Sequence, residues 1–476
     1  MFARYDKSMT KRILLLAAAL PSLASAEPAD TTAALRDAAL GDEVAWDITE
    51  GLTTEIGQRL AGTAEEARAR AWAVARLRAL GFADPRIETF AMPVWVRGAE
   101  TAEIVAPFPQ RLVLAALGGS GATPPTGLTA ELVRFDSLAA LEAAPDAAVR
   151  GKIVYVTHAM TPTQDGSQYG VYGDVRRKAP AIASRKGAAA ILIRSIGTDH
   201  HRNPHTGATN WGTGATPSPN GGGATPIPAA ALALPDAEQL DRIVGRGRPV
   251  TMKLVLTPHL TPNGQSGNVI AEVPGRDPRL PIVVVGCHLD SWDLGTGAID
   301  DAAGCGIVTA AAKRILDSPS RPLRTIRVVW FGAEEPGLLG GIAYRQRHGD
   351  EPHGVVAESD FGADRVWRLR TNFVASAAPV GEALARALPP LGIAYDREGK
   401  ASGGSDLSVM GAAGSPSVDL DQDGIRYFDL HHTPDDTLDK IDPAQLRQNV
   451  AAWTATLSIV ANAAAALGPV PAGTSE

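Results

Sequence analysis

The sequence predicts an α/β fold: a mixed, mostly parallel sheet flanked by helices, with a second, β-rich segment inserted into it. Three observations predict it. Beyond about residue 262, short apolar runs alternate with helical segments, the signature of a sheet covered on both faces. Between about 98 and 261 the apolar runs are short and broken by Pro and Gly, with a different rhythm. Acidic and histidine residues gather directly after the apolar runs of the third region, where loops leave the carboxyl ends of strands.

Taken in order, the chain opens on Lys7, Lys11 and Arg12, an apolar stretch from Ile13 to Leu20, and the small residues Ala24-Ser25-Ala26. This pattern predicts a signal peptide over 1–26, cleaved after Ala26, and a secreted or periplasmic protein. The apolar stretch is shorter than the ~20 residues a membrane span needs. Residues 30 to 95 read as mainly helical, with Glu65 to Leu80 at helical spacing and Gly81 as a stop signal. The second region, 99–261, holds strand-like runs at 152–156 and 188–193. Its Gly- and Pro-rich stretch from Asn203 to Pro228 predicts a long loop. Three histidines sit near that loop, His200, His201 and His205, and a solvated role is expected for each. The third region predicts strands at 269–273, 282–285, 327–331 and 354–358, with helices from Gly304 to Asp317 and Leu338 to His348. Residues 27–98 and 262–476 are thus expected to form one domain, and 99–261 another.

Composition narrows the function classes. The chain of 476 residues is 45% hydrophobic and 20% charged, ordinary for a globular protein. Its net charge is −7, with no basic cluster to meet phosphates, which argues against a nucleic-acid partner. No run after the first 26 residues reaches membrane-spanning length. The two cysteines, Cys287 and Cys305, build no disulfide framework and are expected as two small buried residues, although a bridge is chemically open to them.

The residues that carry chemistry end the apolar runs. Val283-Val284-Val285-Gly286-Cys287 delivers His288, followed by Asp290. A His beside a carboxylate can be oriented for metal binding through its other ring nitrogen. Asp300-Asp301 stands before a helix, where capping is the ordinary role of an acid. Glu334-Glu335 ends the run Val328 to Phe331, and adjacent like charges repel unless a cation or proton compensates them. Two such carboxylates can divide the work, one binding metal and the other moving protons. Glu358-Ser359-Asp360 and His431-His432 add further acids and imidazoles. This mix of nitrogen and oxygen donors suits zinc, with cobalt or manganese chemically possible. No His is followed by Glu and no Gly-x-Ser-x-Gly turn occurs, so metal-activated water is the expected nucleophile.

These motifs, in this order, resemble the co-catalytic zinc exopeptidases, the family of secreted bacterial aminopeptidases and glutamate carboxypeptidases, and most nearly the plasma glutamate carboxypeptidase subgroup. The segments His288 to Asp293, Gly297 to Asp301, Glu334-Glu335, Glu358 to Asp360 and His431 to Lys440 carry the resemblance, which spans nearly the whole chain. It implies the zinc exopeptidase fold with a protease-associated insert, and two zinc ions per chain. His288 and Asp360 would hold one ion, Glu335 and His432 the other, and Asp300 would bridge them. Glu334 would be the general base and Asp290 the carboxylate that orients His288. His432 is preferred to His431 because the family's ligand lies four residues before an Asp-Thr pair, here Asp436-Thr437. The implied substrate is a dipeptide or short peptide, and relatives suggest a homodimer. An aminopeptidase of longer peptides, a glutaminyl cyclase and a non-catalytic peptide-binding protein are the rival expectations. Arg397, Lys400, Arg426 and Lys440 are scattered candidates for an acidic side chain's partner, and Ser402 to Asp406 for a loop near the pocket.

Overall fold

The computed structural model describes Met1, residues 28–212 and residues 223–472; the expected signal peptide, Met1 apart, lies outside them. Two eight-stranded sheets organise the described residues. The first runs, edge to edge, Ala83–Val96, His259–Val273, Ile326–Phe331, Ile282–His288, His353–Glu358, Ser417–Gln422, Val366–Asn372 and Ala394–Tyr395. Its centre is parallel: Ile282–His288 lies between Ile326–Phe331 and His353–Glu358 and runs with both. Ala83–Val96 with His259–Val273, His259–Val273 with Ile326–Phe331, and Val366–Asn372 with Ser417–Gln422 pair antiparallel, so the sheet is mixed.

The central runs are continuously apolar because both faces are covered. Val283, Val285, Val328 and Trp330 pack into a core shared with the helices Ala303–Leu316 and Pro443–Val460. Val284, Val329 and Val356, one residue out of phase, pack with Tyr344, Leu407 and Met410 on the other face. The helix Ala64–Ala79 shows how local chemistry sets an element's ends. Thr63 accepts from the Glu66 N–H, Glu65 and Glu66 sit at the positive end, and Arg76 and Arg78 at the negative end. Gly81, at φ +85°, then turns the chain out of the helix.

Beyond that turn the helical reading of residues 30 to 95 fails: Ala83–Val96 is a 14-residue strand. Its pairing with His259–Val273, from Ala83 opposite Glu272 to Val96 opposite His259, is supplied by chain some 170 residues away, so no local pattern announces it.

The second sheet is built wholly between Glu100 and Leu256, in the order Gln110–Leu112, Glu100–Ala106, Thr251–Leu256, Leu128–Phe135, Ile153–Val156, Ala190–Arg194, Ala229–Leu232 and Leu114–Ala116. Helices Ser167–Arg185 and Leu234–Val244 accompany it, so this strand-rich region carries helices as well. Among the described residues no helix is long and apolar enough to cross a membrane.

The two cysteines differ from expectation. Cys287 and Cys305 form a disulfide with Cα atoms 5.0 Å apart, tying the end of the Ile282–His288 strand to the helix Ala303–Leu316. Strand and helix are consecutive and packed, which brings the two thiols together where spacing alone left them separate. Closing a loop of separation 18 removes unfolded-state entropy, worth about 3 kcal/mol. The double substitution Cys287→Ala/Cys305→Val is therefore expected to lower unfolding free energy by about that amount in urea melts. A change below about 0.5 kcal/mol would show that the bridge contributes no stability.

Candidate metal centre

His288 is the last residue of its strand, and its backbone N–H donates to Asp301 Oδ2 at 3.1 Å. Asp301 Oδ1 accepts from Gly304 N–H, also at 3.1 Å, so Asp301 takes the capping role and leaves Asp300 for the centre. The Asp300–Asp301 peptide is cis. Asp300 reaches both imidazoles: Oδ1 lies 3.0 Å from His288 Nε2 and Oδ2 lies 3.1 Å from His432 Nε2. Asp360 Oδ1 is 3.4 Å from His288 Nε2, and Glu335 Oε2 is 2.9 Å from His432 Nε2. Two donor groups result, His288 with Asp300 and Asp360, and His432 with Asp300 and Glu335. Within each, the ligand atoms lie within 4.8 Å of one another, and Asp300 belongs to both. All five residues implied by the motifs come together.

Backbone strain collects at this site. Ala333, just before the two glutamates, has φ +58°, and His432 has φ +61°. Such left-handed conformations are costly for residues other than Gly and persist where surrounding contacts impose them. Here Asp290 imposes one: its carboxylate accepts from the N–H groups of Glu334 at 3.0 Å and Glu335 at 3.2 Å. That differs from the expected role of Asp290. His288 Nδ1 lies 2.9 Å from the Asp290 backbone carbonyl and 3.8 Å from its carboxylate. The carbonyl fixes the imidazole tautomer that leaves Nε2 facing the centre, while the carboxylate shapes the turn carrying both glutamates.

Electrostatics divide the carboxylates. Burial, reinforced by Asp360, Glu335 and Asp290, raises the Glu334 carboxyl well above its usual range, with His288 opposing. Burial and the neighbouring Asp300 do the same to Glu335. Burial also pushes Asp300 upward, but His431, His288 and His432 together bring it well below the usual carboxylate value. Acids crowded in this way are compensated by protons or by cations, and the donor set of imidazole and carboxylate is the one divalent zinc takes.

The family model for peptidase family M28 matches residues 268–457. Carboxypeptidase Q from Bos taurus is 32% identical over 414 residues, covering 86% of this chain and 84% of that protein. The chain belongs to peptidase family M28. The crystal structure of a peptidase M28 precursor from Shewanella amazonensis superposes with a TM-score of 0.87 at 44% identity, covering 93% of this chain and 99% of that one. BSAP, a zinc aminopeptidase from Bacillus subtilis, shares the fold at 21% identity, with a TM-score of 0.61 over 87% of this chain and 94% of that one.

In this M28 peptidase several residues that sequence reasoning passed over surround the centre. Arg59 is fully buried and donates to the carbonyls of Leu289, Gly57, Thr296 and Gly297, clamping the loop between His288 and Asp300. Asp436 accepts from the Ile299 N–H at 2.6 Å, and burial raises its carboxyl to about 7. The Tyr427 hydroxyl donates to Asp300 Oδ1 at 3.3 Å. Arg176, from the helix Ser167–Arg185, lies 2.9 Å from His432 Nδ1. His205 is buried against His431, whereas His200 and His201 remain exposed, so the solvated expectation fails for His205 alone. A histidine in a Gly- and Pro-rich stretch gives no sign in sequence of what folds over it. The scattered cations make surface pairs: Arg397 with Glu382, Arg426 with Asp364, Lys440 with Asp439. The loop Ser402 to Asp406 packs on Glu358, two residues before Asp360: a Cβ on Gly404 would collide with the Glu358 side chain.

Proposed function

We propose that this M28 peptidase is an exported exopeptidase that hydrolyses dipeptides or short peptides with two zinc ions per chain. The sharing of Asp300 between two donor groups carries the reading, because a carboxylate common to two sites is what a paired-metal centre requires. His288 and Asp360 would hold one ion, Glu335 and His432 the other, with Asp300 between them. Bound there, zinc supplies Lewis acidity toward the scissile carbonyl and makes water acidic enough to act as nucleophile near neutral pH. Glu334 would take the proton from the attacking water and return it to the leaving amine. Asp290 holds the Glu334-Glu335 turn in register with His288. Residues 99–261 would be a protease-associated insert beside a peptidase domain made of 27–98 and 262–476. The relatives support exopeptidase chemistry without choosing its direction: one is by name a carboxypeptidase, another by title a zinc aminopeptidase.

The test is metal analysis joined to substrate profiling. Two zinc ions per chain are expected, with activity lost to a chelator and restored by zinc. A dipeptide library is expected to be cleaved, and amino-blocked and carboxyl-blocked analogues then show which terminus is read. A chain that binds a single metal and cleaves no peptide would overturn the proposal.

A further inference from the structure

We propose that His205 and His431 form a positioning relay for Asp300, a reading that rests on the two-metal centre proposed above. His205 Nε2 lies 3.0 Å from His431 Nδ1, and both rings are buried. His431 Nε2, the opposite ring nitrogen, faces Asp300 Oδ2 at 3.8 Å. That is the oxygen lying 3.1 Å from His432 Nε2.

A contact between two neutral imidazoles needs one donor and one acceptor. If His205 Nε2–H donates, His431 accepts at Nδ1 and carries its own proton on Nε2, aimed at the Asp300 carboxylate. His205 Nδ1, which has no hydrogen-bond partner, is then a bare lone pair. The reverse assignment sets a lone pair of His431 against the carboxylate and leaves a buried N–H on His205 unsatisfied. Both faults cost free energy, and an orphaned buried donor is the rarer in proteins. Geometry therefore selects the first arrangement.

The surroundings hold it. His431 stacks on His432 with centroids 3.5 Å apart and meets the edge of Tyr169 at 5.4 Å. Tyr427 and Phe428 close two further sides. The Thr206 N–H donates to the His432 carbonyl at 3.0 Å, which docks the His205 loop onto the histidine pair. Arg176 stands beside the cluster, 2.9 Å from His432 Nδ1. The segment carrying His205 thus sets the direction of the N–H dipole acting on the carboxylate between the two donor groups.

Such outer partners are worth about 10- to 100-fold in metal affinity or activity. The test measures zinc affinity of each site by competition with a chromophoric chelator. His205→Leu removes the donor and is expected to weaken the weaker site about tenfold or more. His205→Gln keeps an N–H near the position of Nε2 and is expected to stay within about threefold of wild type. His431→Phe should reproduce the loss, and adding it to His205→Leu should cost nothing more, since the two act as one unit. Equal zinc affinities in wild type and in both single donor-lacking variants would overturn the relay while leaving the two-metal reading intact. Equal losses in His205→Leu and His205→Gln would also overturn it, showing packing rather than the N–H to be the cause. Wild-type protein that takes up no zinc would instead remove the reading beneath it. Should His205→Leu fail to fold, His431→Phe and His205→Gln decide the question alone.

Discussion

Replacing Glu334 by Gln is expected to lower turnover by about 10³-fold, within the 10²- to 10⁴-fold range for removing a general base. Zinc content should stay unchanged. Gln has the volume of Glu and leaves the backbone N–H of residue 334 on Asp290, so the turn that carries Glu335 is preserved. What is lost is one proton acceptor, at a position where burial and the neighbouring carboxylates make the acid hold protons well above the usual range. Steady-state kinetics on a cleaved dipeptide, with metal analysis of the same sample, check it. Activity within about tenfold of wild type, at full metal occupancy, would show that another group moves the proton.

The second large effect concerns a residue outside both donor groups. Arg59→Met is expected to lower unfolding free energy by roughly 3–5 kcal/mol and to weaken zinc binding as well. Met fills much of the same space but offers no donor. The buried carbonyls of Leu289 and Gly297 and the half-buried ones of Gly57 and Thr296 then lose their guanidinium partner. The clamp also sets a cation against Asp436, Asp290, Asp301 and Asp300, while burial lowers its own proton affinity. Arg59→Lys should recover little, because a single ammonium cannot span carbonyls arranged for a planar fork. Urea denaturation of the metal-free chain checks the stability term, and a loss below about 1 kcal/mol would contradict the clamp.

Much of the centre was legible because its residues end apolar runs. A strand both of whose faces are covered reads as an unbroken hydrophobic stretch, and the polar residue that stops it marks the carboxyl edge. His288 and Glu334-Glu335 were found this way, whereas the choice of Asp300 over Asp301, of Asp360 over Glu358 and of His432 over His431 came from the family resemblance. The same reasoning misjudged Ala83–Val96, whose partner strand is distant, and the cysteines, whose bridge depends on how a strand and its following helix pack. It assigned Asp290 to the wrong contact, since a sequence does not say whether a carbonyl or a carboxylate meets His288.

Chain order alone thus carried the α/β alternation, the family resemblance and the polar segments that fold together at the centre, because each is written in residue type and short-range spacing. The roles of Arg59, His205, Arg176 and Tyr427 came only from folding. Arg59 meets carbonyls some 230 positions away, and His205 meets an imidazole 226 positions away. Hydrogen-bond partners at such separations are selected by the packing of sheets and loops, and a buried polar side chain looks no different in sequence from an exposed one until its surroundings close over it.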